Sequence, residues 1–256
     1  MAGHSKWANI KHRKGAQDKR RSKVFSKAVK DIMIAAKMGG ADVDANPRLR
    51  LAIAKAKAVS LPKDNLQRAI LKGAGLLDGE GMEEITYEGY GPGGVALMIE
   101  CLTDNRNRTA PEVRHAFSKR GQTLGTSGSS AHSYHRVGSV LMPAEGVDED
   151  ELMEAAMEHG GDDILADSDD ASGDDILRVV CEIDALEGLR EGLEAAGFPV
   201  SGYGLWWQPA ALIPVAGRDA EKLLDLIGAL EDLEDTQTVY ANFEISDEEM
   251  ERIASL

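Results

Sequence analysis

Cysteine occurs only twice in the 256 residues, at Cys101 and Cys181, each inside an apolar run of strand character. Two isolated thiols exclude a disulfide framework and a cysteine-based metal centre, so buried free thiols in a reducing compartment are expected. Long apolar runs without charge are also missing, which excludes a membrane-spanning helix, and the chain reads as soluble and globular. The N-terminus has neither the apolar core of a secretory signal nor the Arg/Ser-rich, acid-poor amphipathic lead of a transit peptide, so a cytoplasmic protein is expected. Positive charge is absent from residues 145–175, where acidic side chains crowd. A net charge of -15 would by itself argue against a polyanionic partner.

The charge is not evenly spread. The first 75 residues carry 18 Lys/Arg against 5 Asp/Glu, and the remaining 181 carry 11 against 39. Such segregation makes a basic footprint on an otherwise repelling body. Residues 1–16 are polar and basic with only Trp7 and Ile10 as large apolar groups, and read as an arm. From Gln17 the apolar positions Val24, Phe25, Ala28, Val29, Ile32, Met33 and Ala36 recur at helical spacing until Gly39-Gly40. Lys19, Lys23, Lys27 and Lys30 step by four, four and three, which lines them along one ridge of that helix. Asn46-Pro47 opens a second helix as N-cap and first helical residue, and a third runs from near Pro62 to Gly73 or Gly75. Residues 1–78 are therefore a basic helical domain with an N-terminal arm.

Beyond the linker Leu77-Asp-Gly-Glu-Gly81 the period changes. Strands are predicted around Ile85–Tyr87 and Val95–Cys101, followed by a helix opened by the capping box Thr109-Ala-Pro-Glu112 and closed at Gly121. Residues 135–207 then read βαββαβ, a complete ferredoxin-like unit of acidic character. The last stretch reads strand (211–215), helix (220–230), strand (238–243), and joined to residues 82–134 it makes a second unit of that type. The expected fold is α+β: a helical domain, a split α/β domain of residues 82–134 plus 208–246, and residues 135–207 inserted into it. Ser130-Ala-His-Ser-Tyr-His135 offers few apolar residues, so weak strand pairing is expected at the entry to the inserted unit. Tyr203, Trp206 and Trp207 are expected to pack where the chain returns between domains.

Few residues point to reaction chemistry. Gly91-Pro-Gly-Gly94 and Gly125-Thr-Ser-Gly-Ser-Ser130 lack the spacing of a phosphate-binding loop and read as turns, so no nucleotide cofactor is expected. His132 and His135 have no Cys, Asp or Glu beside them to complete a tetrahedral site, and the aspartates of 162–175 lack the glycine and terminal glutamate of a calcium loop. No nucleophile and base form a recognisable pair, so the chain is read as a non-enzyme with no small-molecule substrate and no cofactor. The features suited to a partner are the lysine ridge with Arg20, the arm with Lys6, Lys11, His12, Arg13 and Lys14, and the polar loop carrying Arg106 and Arg108. Trp7 either stacks on a base or anchors the arm. Lysine-rich patterns neutralise phosphates without reading bases, which favours structured RNA over a specific DNA site, although a DNA-binding regulator using the same helices remains the alternative.

The segments Gly3-His-Ser-Lys-Trp-Ala-Asn-Ile-Lys-His-Arg-Lys-Gly-Ala-Gln-Asp18, Asn46-Pro-Arg-Leu-Arg50, Pro62-Lys-Asp-Asn65, Tyr87-Glu-Gly-Tyr-Gly-Pro-Gly-Gly94 and Thr103-Asp-Asn-Arg-Asn-Arg-Thr109 resemble those of the YebC family, over essentially the whole chain. Its eukaryotic relatives are mitochondrial translational activators of cytochrome oxidase. The resemblance implies a three-domain α/β protein without enzymatic activity, of a family labelled as probable transcriptional regulators and also associated with the ribosome and with relief of stalling at proline-rich stretches. It adds weight to Arg106 and Arg108 as contact residues. The expected partner is nucleic acid, ribosomal RNA before DNA, with no membrane involved.

Overall fold

The computed structural model describes residues 17–78, 81–168 and 174–255. Residue contacts divide the chain into two compact units, one holding residues 16–131 and 221–241, the other 132–220 and 242–256.

The first unit opens with three helices, α1 (Gln17–Gly39), α2 (Pro47–Ala58) and α3 (Lys63–Gly73). Their apolar positions recur every three to four residues, and Ile32, Met33, Ala36, Leu49, Ile53, Ala56 and Ala69 meet in one core. Asn46 caps α2 by accepting from the Leu49 amide at 3.0 Å, while its own amide donates to the Ala35 and Gly40 carbonyls. That explains why this polar residue is buried. At the other end of α2, Ser60 takes a left-handed φ of 61°. The Leu61 amide donates to Ala56 O and the Ser60 amide to Lys57 O, a Schellman closure with buried Leu61 as its apolar plug.

The same unit contains β1 (Glu83–Tyr90), β2 (Ala96–Thr103) and α4 (Arg106–Ser118), and, from the far end of the chain, most of α7 (Gly217–Glu231) and β8 (Thr236–Ala241). Strand order is β1-β2-β8, all antiparallel, so the third strand comes from more than 130 residues downstream of its neighbour. The fully buried run Val95–Ile99 occupies the central strand, as a continuous apolar run should.

The second unit is built on β3 (Tyr134–Pro143), α5 (Glu149–Glu158), β4 (Gly161–Ser168), β5 (Asp175–Cys181), α6 (Leu186–Ala195) and β6 (Gly202–Pro209). The strands order as β4-β5-β3-β6 with antiparallel pairing, the ferredoxin-like arrangement. Val140, Met142, Leu177, Val179 and Cys181 on one face pack with Leu152, Ala156, Leu189 and Leu193 of the two helices.

Four expectations change. Strand β3 begins at Tyr134, and His135 pairs with Gln208, so the polar entry segment does pair; ladder bonds need only backbone, and buried Tyr134 supplies the apolar contact. The strand expected at 211–215 shrinks to β7 (Ile213–Pro214), which pairs in parallel with β9 (Phe243–Glu244) instead of joining the β1-β2-β8 sheet. A helix α8 (Asp247–Ala254), capped by Ser246, follows where none was read. The three aromatics of β6 each meet an arginine of the second unit: Arg190 lies 5.2 Å from the Tyr203 ring, Arg178 4.4 Å from Trp206 and Arg136 4.5 Å from Trp207.

Candidate nucleic-acid interface

The arm residues Lys6, Trp7, Lys11, His12, Arg13 and Lys14 lie outside the described residues, and so do the side chains of Lys19 and Arg20, whose backbone forms the first turn of α1. The rest of the ridge is well placed. Lys23 Nζ donates to Asp232 at 2.9 Å, Lys27 Nζ to the Gln237 carbonyl at 2.9 Å, and Lys30 Nζ to Asp235 at 2.6 Å and the Glu234 carbonyl at 2.9 Å. The lysine spacing of four and three is thus matched by the acidic turn between α7 and β8 and by the first residues of β8, within the first unit. Lys30 is 12% exposed and Asp235 fully buried.

The Arg106/Arg108 loop reaches the same carboxylate. Asn105 caps α4 by accepting from the Arg108 amide at 3.2 Å, and Thr103 Oγ1 accepts from the Asn105 amide at 2.8 Å. Helix α4 therefore starts a turn before the expected capping box. Thr109, read as the cap, is instead buried and donates its hydroxyl to Asp235 at 2.7 Å. Arg108 donates two bonds to Asp235, from Nη2 at 2.9 Å and Nε at 3.3 Å, and one to Asp104 at 3.0 Å. Thr103 Oγ1 adds a contact at 3.1 Å. Arg106 stays open: it is 68% exposed and its guanidinium is 3.8 Å from Glu83.

Asp235 is thus the hub on which Lys30, Arg108, Thr109 and Thr103 converge. Burial alone would raise its carboxyl, but the hydrogen bonds from Lys30, Thr109 and Arg108 outweigh it and hold the group near about 2. The pairing in turn pushes the Arg108 guanidinium up. Sequence reading singled out the cations and missed their shared anion. Asp235 stands 205 positions from Lys30 and 127 from Arg108, and no local spacing rule spans such a gap.

The rest of the helical region carries exposed cations. Arg48 pairs with Glu84, and Arg50 donates to the Val43 and Asp44 carbonyls at 2.9 and 2.5 Å. Lys55, Lys57, Lys63 and Arg68 are exposed on α2 and α3. None of the last three has an ion-pair partner among the described residues. Lys55 lies near Asp31, whose carboxyl is raised by burial against the pull of Lys55, Arg48 and Lys27.

Two other segments resolve differently. The Gly125–Ser130 loop wraps an internal carboxylate: Glu88 accepts from the amides of Gly128, Ser130 and Ala131 at 2.7, 2.9 and 2.9 Å. Burial would raise Glu88, but these amides lower it on balance. His132 lies in the short turn before β3 and His135 on β3 itself, and among the described residues no group of three His, Cys, Asp or Glu is arranged to hold a metal ion. Among them, too, no helix is long and apolar enough to cross a membrane.

Against known proteins, residues 5–76 match the family described as TACO1/YebC protein N-terminal domain, and residues 82–243 match TACO1/YebC second and third domain. A protein of Pseudomonas putida named "Probable transcriptional regulatory protein" is 51% identical over 253 residues, covering 99% of this chain and 100% of the relative. One of the same name from Paraburkholderia phytofirmans is 49% identical over 248 residues, 97% of this chain and 100% of its own. The crystal structure of a conserved hypothetical protein from Aquifex aeolicus is similar with a TM-score of 0.80 at 42% identity, over 90% of this chain and 93% of that one. With both parts of the family matched in order, and about half of all positions shared with full-length relatives, the chain belongs to the TACO1/YebC family.

Proposed function

We propose that the protein is a non-enzymatic, nucleic-acid-binding regulator of gene expression in the cytoplasm, acting as a ribosome-associated translation factor that eases stalls at proline-rich stretches through contacts with ribosomal RNA. The observation that carries the reading is the charge segregation: a basic arm and helical region with 18 Lys/Arg against 5 Asp/Glu, followed by a body with 11 against 39. Such a body repels stray polyanion and leaves one end to bind it. The arm residues Lys6, Trp7, Lys11, His12, Arg13 and Lys14, the start of α1 at Lys19 and Arg20, and exposed Arg106 supply the contacts in this reading. Lys23, Lys27, Lys30 and Arg108 are engaged in internal bonds within the first unit and contribute in this reading only by releasing them. Lysine outnumbers base-reading side chains there, which suits phosphate and shape recognition of structured RNA.

The relatives' names support a second reading, a DNA-binding transcriptional regulator. Crosslinking bound nucleic acid in the cell and sequencing it separates the two. Ribosomal RNA well above background is expected, and discrete promoter DNA without it overturns the translation reading in favour of the regulator.

A further inference from the structure

The described lysines of α1 are already occupied, and the manner of occupation differs from one end of the row to the other. Lys30 is 12% exposed and meets a fully buried carboxylate that also accepts from Arg108, Thr109 and Thr103. That end is sealed from water. Two turns earlier on the helix, Lys23 meets Asp232 at 2.9 Å with the two side chains 26% and 70% exposed. Lys27 lies between them and donates to the Gln237 carbonyl at 2.9 Å. The segment 232–237 thus lies along the lysines as a phosphate backbone would, presenting an acceptor oxygen to each in turn.

The position of Asp232 does not serve its own helix. It directly follows the last residue of α7, at the negative end of the helix dipole, and the last turn of α7 has no basic residue to offset it. Its pair with Lys23 is open to water, and exposed pairs of this kind add little stability and weaken further in salt. The effect on Lys23 is larger than the effect on folding. An anion held at 2.9 Å cancels most of the outward field of the lysine, so this end of the row takes up no phosphate while the pair is closed. Opening the pair uncovers no buried charge, because Asp235 keeps Lys30 in place.

We propose that Asp232 is an internal competitor for nucleic-acid phosphate: it closes the Lys23 end of α1 in the free protein and gives way there to a phosphate backbone, while Lys30 stays anchored on Asp235. The proposal rests on the nucleic-acid reading above and adds a threshold to it. A single phosphate offers Lys23 little that Asp232 does not already supply. A dense array of phosphates held elsewhere on the same protein presents anion at the high local concentration needed to displace an intramolecular carboxylate. The contact therefore favours long polyanions over small scattered ones.

The test uses the full chain and a labelled 24-base-pair RNA duplex, with a DNA duplex of equal length as second probe, titrated across a salt series. Phosphate is common to both, and the more tightly held duplex identifies its source. Asp232→Asn is expected to bind more tightly than wild type, with the slope of log K against log salt steeper by roughly 0.7 to 0.9, the share of one added phosphate contact. Its advantage should then widen about threefold for each fourfold fall in salt. Lys23→Gln is expected to change little alone and to abolish the gain in the Asp232→Asn background. Asp232→Glu keeps the charge and should bind as wild type, and Glu154→Gln, at an exposed acid on α5 of the second unit, should leave the slope unchanged. An Asp232→Asn slope equal to that of wild type overturns the proposal. So does an equal gain in Asp232→Glu, which traces the effect to a loosened turn, or in Glu154→Gln, which traces it to net charge. Loss of the fold in Asp232→Asn also overturns it, by making the pair a structural one. In each of these cases, loss of binding in Lys11→Glu, Arg13→Glu, Lys14→Glu leaves the proposed function standing. A chain that holds neither duplex at low salt, with Asp232 or with Asn in its place, overturns both.

Discussion

Replacing Asp235 tests whether its carboxylate ties the helical region to the β1-β2-β8 sheet. Asp235 is fully buried, and it accepts from Lys30, which is 12% exposed, and from Arg108, which is 40% exposed. Removing one partner of a buried pair costs about 3 to 5 kcal/mol, because the other charge is left without compensation. Arg108 can turn to water and Lys30 cannot easily do so, which places Asp235→Ala near the lower end, about 3 kcal/mol. The charge-dependent part follows separately from linkage. A shift from 3.8 to about 2 corresponds to roughly 2.5 kcal/mol, the expected cost of Asp235→Asn. The folded value is depressed, so this stability is whole above about pH 4 and is lost as the pH falls toward 2. Hydrogen exchange of peptides spanning residues 24–36 and 97–103 gives the readout, and Asp235→Ala should lower protection roughly a hundredfold at pH 7. Because the pair is buried, 0.5 M salt should change this little. A loss below about 1 kcal/mol, or an acid limb identical in wild type and Asp235→Asn, would refute the reasoning.

Four further outcomes follow from named contacts. Glu88→Gln faces three amides with one acceptor oxygen in place of two and should destabilise the 125–131 loop by about 1 to 3 kcal/mol, seen as faster exchange there and not in α5 or α6. Gly73→Ala should lower stability by about 1 to 3 kcal/mol in urea unfolding, since the added Cβ overlaps the Met33 carbonyl where α1 and α3 meet; a gain, as at an exposed helical glycine, would contradict that packing. Burial pushes both thiols up to about 11, so Cys101 and Cys181 should resist a disulfide reagent at pH 8 until the chain is unfolded, and rapid labelling of the native protein would count against their burial. Replacing residues 135–207 by a short Gly/Ser linker should leave a cooperatively folding remainder if that segment is an inserted domain, and an aggregated remainder would favour a linear order.

Most elements were legible because their signals are local. Asn46-Pro47 marks a helix start through one side chain and one ring, and the βαββαβ order of residues 135–207 follows from period changes within a few residues. Errors arose where two local signals compete or end early. Asn105 and Thr109 are both good caps, and the choice falls to Asn105 because Asp235 claims the Thr109 hydroxyl. Ser246-Asp-Glu-Glu249 is a capping signal too, with Ser246 accepting from the Glu249 amide at 3.3 Å, yet it opens a helix of only eight residues, too short for a clear period. Residues 211–215 have strand composition, but only Ile213 and Pro214 find a partner.

The charge pattern shows where local reading stops. A count of 18 cations in the first 75 residues does not distinguish those that meet solvent from those that meet the chain's own acids. Lys23 and Lys30 pair with Asp232 and Asp235, so part of the basic excess is neutralised by acids counted in the acidic body. The described lysines of α1 therefore present less free charge than their spacing suggests, whereas Lys57, Lys63 and Arg68 of α2 and α3 have no ion-pair partner among the described residues. Salt dependence separates the two sets cleanly. A cation already neutralised by a protein carboxylate displaces few counterions when it meets phosphate, whereas a solvated one contributes its full share.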